Sequence, residues 1–93
     1  MNQTFDWDEG KAAANLQKHK ISFEEARSVF NDPLFISFYD EEHSSDEERF
    51  ITIGMSDRNR LLLVAHTDDE TGIRIISARK ATSQERGFYD EGL

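Results

Sequence analysis

The chain has 93 residues, of which 37% are hydrophobic and 11% aromatic, and its net charge is −8 at pH 7. This length fits one domain, residues 1–93, with a single small core, and the aromatic content disfavours a disordered chain. The absence of cysteine excludes disulfides and thiolate metal sites. No apolar run approaches the roughly 20 residues that span a bilayer, and the N-terminus has no apolar signal core, so we expect a cytoplasmic protein that does not enter a membrane.

The negative charge is concentrated in the first half of the chain. Residues 1–48 carry 12 acidic and 4 basic side chains, whereas residues 49–93 carry 7 of each. An acidic protein is repelled by nucleic acid at long range, because phosphate binding depends on Lys and Arg displacing counterions. Any polyanion site must therefore be a local basic cluster, which the second half supplies more easily.

The first twenty residues predict a short apolar segment followed by a helix. Phe5–Trp7 either forms an edge strand or simply anchors the N-terminus. Asp8 is a suitable N-cap, and the alanine-rich sequence after it favours a helix as far as Lys20.

A second helix is predicted to begin at Ser22, which has the spacing of a capping box with Glu25. The apolar residues that follow recur at helical spacing to about Phe30. Pro33 then ends the helix, because it disfavours helical geometry at the residue before it.

The middle of the chain is rich in β-branched and aromatic residues, which are typical of strands. Strands are expected over residues 34–39, 49–55, 60–67 and 73–80. The last three are joined by links of about 4–5 residues, which point to antiparallel neighbours because parallel ones need a dozen or more. The acidic link, residues 40–48, is expected to be a solvated connection.

A last helix is predicted over residues 83–90, because Thr82 and Glu85 have capping-box spacing. The predicted fold is therefore α+β, with two N-terminal helices, a four-stranded antiparallel meander sheet, a C-terminal helix and the helices over one face of the sheet.

The most basic segment, Arg74–Tyr89, contains the exit of the last strand and the start of the last helix. Such junctions are common places for a functional site, because rigid elements hold the side chains in position. Strict alternation along the strand places Arg79 on one face with Ser77, and Arg74 on the other with Lys80. Each candidate shares its face with apolar residues, so alternation does not reveal which face carries the site.

Several short motifs occur in an order that resembles the BrnT family. They are Phe5-Asp-Trp-Asp-Glu, Lys11-Ala, Asn15-Leu, Lys18-His19, Ser22-Phe-Glu-Glu-Ala26, Glu48-Arg49, Ile53-Gly54, Arg60-Leu-Leu-Leu-Val64 and Arg74-Ile-Ile-Ser-Ala-Arg-Lys-Ala-Thr82. The resemblance covers nearly the whole chain, and its most specific parts run from Lys18 to Ala26 and from Ile75 to Thr82.

The resemblance implies a RelE-like fold and a bacterial ribonuclease toxin of a type II toxin–antitoxin system. It further implies RNA cleavage without a metal or another cofactor, neutralisation by a BrnA-type antitoxin, and contact with operator DNA only through that antitoxin. Two positions depart from the family pattern. Lys20 stands where a glycine usually follows Lys-His, and Asp68-Asp69-Glu70 stands where an arginine often follows His-Thr.

RNA cleavage of this type needs a base for the ribose 2′-hydroxyl, cations for the phosphate and an acid for the leaving oxygen. The candidate catalytic residues are His19, Glu48, Arg49 and Arg79. Each also has a structural interpretation: His19 caps the first helix, Glu48 and Arg49 form ion pairs, and Arg79 pairs with Glu85 or with the acidic link.

Five further residues are candidates for binding the RNA substrate. They are Lys18, His66, Arg74, Lys80 and Tyr89. The alternatives are that the lysines serve solubility and that His66 is a hydrogen-bonded, half-buried residue, while Tyr89 more often packs on a sheet than stacks on a base. No ligand spacing predicts a metal site. The alternatives to the enzyme are a non-catalytic partner-binding module of the same fold and a metal-dependent hydrolase.

Overall fold

The computed structural model describes residues 4–44 and 47–92 and shows three α-helices and five strands within them. In chain order these are β1 (Phe5–Trp7), α1 (Glu9–His19), α2 (Phe23–Ser28), β2 (Ile36–Tyr39), β3 (Arg49–Met55), β4 (Leu61–Asp69), β5 (Gly72–Lys80) and α3 (Ser83–Glu91). A 3-10 turn, Val29–Asn31, follows α2. Ser45 and Asp46 of the predicted acidic link lie outside the described residues.

The five strands form one mixed sheet in the order β1-β5-β4-β3-β2. Strands β2 to β5 are antiparallel neighbours, as predicted, but β1 pairs in parallel with β5 through Phe5–Ile73, Asp6–Arg74 and Trp7–Ile75. The prediction of two N-terminal helices followed by a four-stranded antiparallel sheet was therefore wrong, because a strand precedes the helices and joins the sheet. Three residues are too short to show strand periodicity, and their partner lies at the other end of the chain.

The main core lies between the sheet and the two N-terminal helices, on what we call the α1–α2 face. It contains Ile21, Phe23, Ala26, Val29, Leu62, Val64, Ile73, Ile75 and Ala78, with Phe5 and Trp7 packed against it. Trp7 meets the ring of Phe23 edge-on at a centroid distance of 5.9 Å. Burial of these apolar side chains supplies most of the driving force for folding.

The last helix lies on the opposite side of the sheet, which we call the α3 face, so the prediction of helices over one face was wrong. Tyr89 packs there against a smaller cluster of Ile36, Ile53 and Leu61. Its hydroxyl also donates to the Asp32 carboxylate at 2.6 Å. Ile36 lies in β2, Ile53 lies in the later part of β3, and Leu61 is the first residue of β4. The other end of the α3 face, where β3 begins, carries different side chains, described below.

Both sequence-predicted capping motifs occur, although one is only half formed. Thr82 and Glu85 form the complete capping box of α3. Ser22 accepts a hydrogen bond from the Glu25 amide, but the Glu25 carboxylate binds Arg60 and the Ser56 hydroxyl instead of the cap. The salt bridge with Arg60 takes priority because a buried carboxylate needs a charged partner more than a capping contact.

The first helix ends at Lys20 in left-handed backbone geometry, with φ 62° and ψ 29°. A residue with a Cβ atom is strained in this region, whereas glycine is not. We expect Lys20→Gly to stabilise the protein by about 0.5–1 kcal/mol, which raises the melting temperature by about 3–6 °C in a domain of this size.

Lys18→Gly is the matched control for Lys20→Gly, because Lys18 is also exposed but lies in the last turn of the same helix. Glycine at an interior helical position costs about 1 kcal/mol, so thermal unfolding should move the two variants in opposite directions. Equal destabilisation by both variants would contradict the strain at Lys20.

Candidate functional site

Four polar residues form a line across four strands at the open end of the α3 face. Arg49 on β3 is the Cα partner of Thr67 on β4, Thr67 is the partner of Arg74 on β5, and Arg74 is the partner of Asp6 on β1. Partners in adjacent strands share one face of a sheet and lie about 5 Å apart. We call Asp6, Arg74, Thr67 and Arg49 the cross-strand row.

A β-bulge places Arg74 in this row. The β4–β5 register shifts between Ala65 and His66, so that Ala65 pairs with Ser77 while His66 pairs with Ile75. One extra residue in β5 reverses the alternation at that point. Arg74, Ser77 and Arg79 therefore share the α3 face, whereas strict alternation predicted that Arg74 and Arg79 lie on opposite faces.

The two arginines of the row, Arg49 and Arg74, form no ion pair with any of residues 4–44 and 47–92. The Nε atom of Arg49 is buried and has no hydrogen-bond partner there. A buried, unpaired guanidinium donor is unusual, because such a group costs free energy until it is paired. Their Cα atoms lie about 10 Å apart, two strand spacings, with Thr67 between them.

Arg79 lies on the same face but is held by Glu85. Its two terminal nitrogens donate to the two carboxylate oxygens of Glu85 at 2.8 and 2.9 Å, in a bidentate pair. This guanidinium lowers the pKa of the Glu85 carboxyl below its ordinary value. Glu85 also accepts a hydrogen bond from the Thr82 amide at 2.9 Å. The structural alternative weighed for Arg79, an ion pair with Glu85, is therefore present.

A polar cavity of about 170 Å³ opens beside the row at the Arg74 end. Asp6, Glu47, Thr67 and Arg74 line it together with the turn between β4 and β5. The acidic residues among those that line the cavity are Asp6, Glu47 and Asp69, whereas the predicted Glu48 is exposed immediately before β3. No pattern in the sequence distinguishes these two neighbouring glutamates, and Asp6 was not predicted at all.

His66 lies on the α1–α2 face, away from the row. It is 2% exposed, its Nε2 atom is 2.6 Å from the Thr52 hydroxyl, and its Nδ1 atom is 3.1 Å from the Thr67 carbonyl. Phe30 and Phe50 flank the ring. Burial lowers the pKa of His66 below its ordinary value. These contacts are those of a neutral core histidine.

The lowered pKa of His66 makes stability depend on pH. Below about pH 6.5, the unfolded chain binds a proton that the folded chain does not bind. The free energy of unfolding therefore decreases as the pH is lowered toward the folded pKa, by at most about 1.4 kcal/mol per pH unit. The carboxylates with lowered pKa values add to this loss only below about pH 4.5. We expect the melting temperature to decrease as the pH is lowered from 6.5 to 5. A His66→Gln variant should show a smaller decrease over the same range.

His43→Asn is the matched variant, because it removes an exposed histidine whose Nδ1 atom lies 3.0 Å from the Asp40 carboxylate. A His66→Gln variant with the same slope as the unchanged chain would show that another group titrates in this range.

The predicted basic residues of the first helix and the β5 exit do not join the row. Lys18 and His19 end α1, which packs against β5 on the α1–α2 face. Lys80 is the partner of Leu62, a core residue of that same face. The structure therefore places Arg49 and Arg74 in one row and Arg79 farther along the same face. Lys18, His19 and Lys80 lie on the α1–α2 face.

Tyr89 has the packing role that the sequence favoured over base stacking. The ring is half-buried against the small cluster, and the hydrogen bond to Asp32 raises the pKa of the Tyr89 hydroxyl to about 12. Asp32 also accepts from the Met55 and Leu34 amides at 2.7 and 2.9 Å. Asp32 therefore joins α3 to β3, a role that no local pattern indicated.

Two classes of feature are not seen among residues 4–44 and 47–92. No group of three or more His, Asp or Glu side chains is placed to hold a metal ion. No helix in this part of the chain is long and apolar enough to cross a bilayer.

The described residues form an α+β domain with three helices and a five-stranded mixed sheet, which defines its fold class. The family model of the ribonuclease toxin BrnT, of type II toxin–antitoxin systems, matches residues 7–85. The chain therefore belongs to the BrnT family of ribonuclease toxins.

The fold is similar to that of a solved structure. The 1.1 Å crystal structure of the Brucella abortus ribonuclease toxin BrnT matches with a TM-score of 0.64 and 21% sequence identity, over 86% of this chain and 100% of that one. Comparison with curated proteins gives no match. The α+β architecture with three helices and a five-stranded mixed sheet is thus BrnT-like.

Proposed function

We propose that this chain is an endoribonuclease that cleaves RNA without a metal ion, using the cross-strand row as its phosphate site. The observation that carries the proposal is the pair Arg49 and Arg74, which flank Thr67 on one face and have no carboxylate partner within the described ranges. Guanidinium groups hold phosphate oxygens in pairs and stabilise the charge that builds up in the transition state. The protein acts where RNA is found, in the cytoplasm.

The proposed reaction is an attack of the ribose 2′-oxygen on the adjacent phosphorus. The P–O5′ bond breaks, a 2′,3′-cyclic phosphate forms, and the 5′-oxygen leaves with a proton from water. We assign removal of the 2′-hydroxyl proton to Glu47, because its side chain lines the cavity beside Arg74. Glu48 and His19, the sequence-based candidates for proton transfer, remain predictions; the helix that ends at His19 packs on the other face.

Incubation of the purified chain with total RNA, with and without EDTA, tests this proposal. Fragments that persist in EDTA and end in a 2′,3′-cyclic phosphate support it. Fragments that disappear in EDTA support the metal-dependent hydrolase. Intact RNA under all conditions supports the second candidate, a partner-binding module, which is favoured by the net charge of −8 and the Asp68-Asp69-Glu70 sequence near the row.

Membership of a type II toxin family implies an antitoxin partner, and we propose that it is of the BrnA type. Exposed apolar side chains surround the outer edge of β2, which no described strand covers. Leu34 is 66% exposed, Phe35 41% and Tyr39 48%. Exposed apolar patches of this kind are commonly covered by partners. Because the chain itself is acidic, contact with operator DNA is assigned to the antitoxin alone.

A further inference from the structure

The polar cavity beside the cross-strand row has the wrong charge for a phosphate. Three carboxylates, those of Asp6, Glu47 and Asp69, line it next to the single cation Arg74. Carboxylates repel phosphate oxygens, but they accept hydrogen bonds from neutral N–H groups. Nucleobases carry such groups on their edges, and proteins read unstacked RNA bases through those edges. The cavity therefore suits the base of a nucleotide whose phosphate lies on the arginines.

The dimensions of the cavity agree with a single base. Its volume of about 170 Å³ is on the order of six water molecules at ~30 Å³ each, which is the scale of one planar ring system. Because Arg74 belongs both to the cavity and to the row, a base in the cavity and its own phosphate on the row lie at adjacent positions.

Asp6 is the carboxylate best placed to read the base. It lies in β1, and its backbone is held in register with Arg74 of β5, so its direction is set by the sheet rather than by a loop. Within the described part of the chain, the structure shows neither an ion pair nor a side-chain hydrogen bond for Asp6. Both carboxylate oxygens are thus available to a ligand.

A carboxylate with two available oxygens selects one base among the four. Guanine presents two adjacent donors, N1–H and the N2 amino group, that a carboxylate accepts side by side. Adenine and cytosine present one amino donor next to an acceptor nitrogen, and uracil presents one N–H between two carbonyl groups. The hydroxyl groups of Thr4 and Thr67, which also line the cavity, are donors for guanine O6.

We propose that this cavity is a guanine-binding subsite in which Asp6 accepts hydrogen bonds from N1–H and the N2 amino group. The expected consequence is a preference for cleaving RNA next to guanosine, and this consequence rests on the proposed function. A site built to pair two donors rejects ligands that lack one of them, because its polar groups are then left unpaired.

Binding of nucleosides without phosphate separates the cavity from the arginines. In NMR titrations we expect guanosine to bind at least about 10-fold more tightly than adenosine, cytidine or uridine, and inosine, which lacks the N2 amino group, to bind with intermediate affinity. Asp6→Asn should abolish the preference. Asp57→Asn, in the exposed turn between β3 and β4, is the matched control and should retain it.

Cleavage assays on RNA oligonucleotides that differ at one nucleotide complete the test. Selective guanosine binding together with cleavage next to guanosine supports the subsite. Cleavage with equal rates at all four nucleotides, and equal nucleoside affinities, overturns the subsite but leaves the nuclease intact. Selective guanosine binding without any RNA cleavage supports the subsite and overturns the proposed nuclease. An unchanged melting temperature for Asp6→Asn confirms that the exposed substitution does not unfold the chain.

Discussion

Arg49→Ala is expected to cleave RNA at least about 100-fold more slowly than the unchanged chain, the loss typical of removing one preorganised donor to a developing oxyanion. Arg49 lies on a strand held between two neighbours, so its side chain is positioned before RNA binds. The loss should appear in kcat more than in KM, because the phosphate gains its extra negative charge only in the transition state. Single-turnover cleavage of a fluorescent oligonucleotide measures it.

Arg58→Ala is the matched control, because Arg58 is exposed in the turn that follows β3 and lies outside the cross-strand row. Removing it takes away the same charge without touching the proposed site, and it should change cleavage by no more than a few-fold through weaker long-range attraction. Arg49→Lys separates geometry from charge, since an ammonium group cannot form the two-oxygen contact.

A different result for these variants would assign the role of phosphate-binding arginine to Arg79. If Arg79→Ala abolished cleavage while Arg49→Ala did not, the ion pair with Glu85 would have to open when RNA binds. The geometry indicates instead that Arg79→Ala mainly loosens the start of α3, because its carboxylate partner also caps that helix.

Asn15→Ala is expected to lower the free energy of unfolding by about 2–4 kcal/mol. The Asn15 amide donates to the carbonyl oxygens of Ile21 and Ala78 and accepts from the Ala78 amide, all at 2.9–3.0 Å. The paired residues of β1 reach only as far as Ile75 along β5, so Asn15 takes the place of a neighbouring strand beyond that point. Alanine leaves two buried backbone groups of Ala78 without partners, at about 1–3 kcal/mol each before water compensates.

Thermal or urea unfolding checks this prediction, with a fall in melting temperature of about 10–25 °C for a domain of this size. Gln17→Ala, on the exposed side of the same helix, is the control and should change stability by less than about 0.5 kcal/mol. A small effect for Asn15→Ala would mean that water replaces the amide at the β5 edge. Ala78, which Asn15 holds, lies between Ser77 and Arg79 on β5. Partial loss of cleavage in an Asn15→Ala variant that is still folded would be consistent with a cross-strand row that includes β5.

The extent of most elements could be predicted from the chain because their signals are local. β3 was predicted over residues 49–55 and occupies Arg49–Met55, and the Asp8 and Thr82 caps hold their helices as expected. Lys20 stands where the family motif usually has glycine, and it adopts left-handed backbone geometry. Such features depend on neighbours within a few positions along the sequence.

Short-range pattern and residue type suffice to predict the three helices, four of the five strands, the helix caps and the resemblance to BrnT. Which residues meet depends on the tertiary structure. The bulge beside Ala65 moved Arg74 onto the face of Arg49, and the parallel pairing of β1 brought Asp6 beside Arg74. Burial made His66 a core residue. Strand register and burial arise from contacts between distant parts of the chain, and a single residue of slip reverses the face of every side chain beyond it.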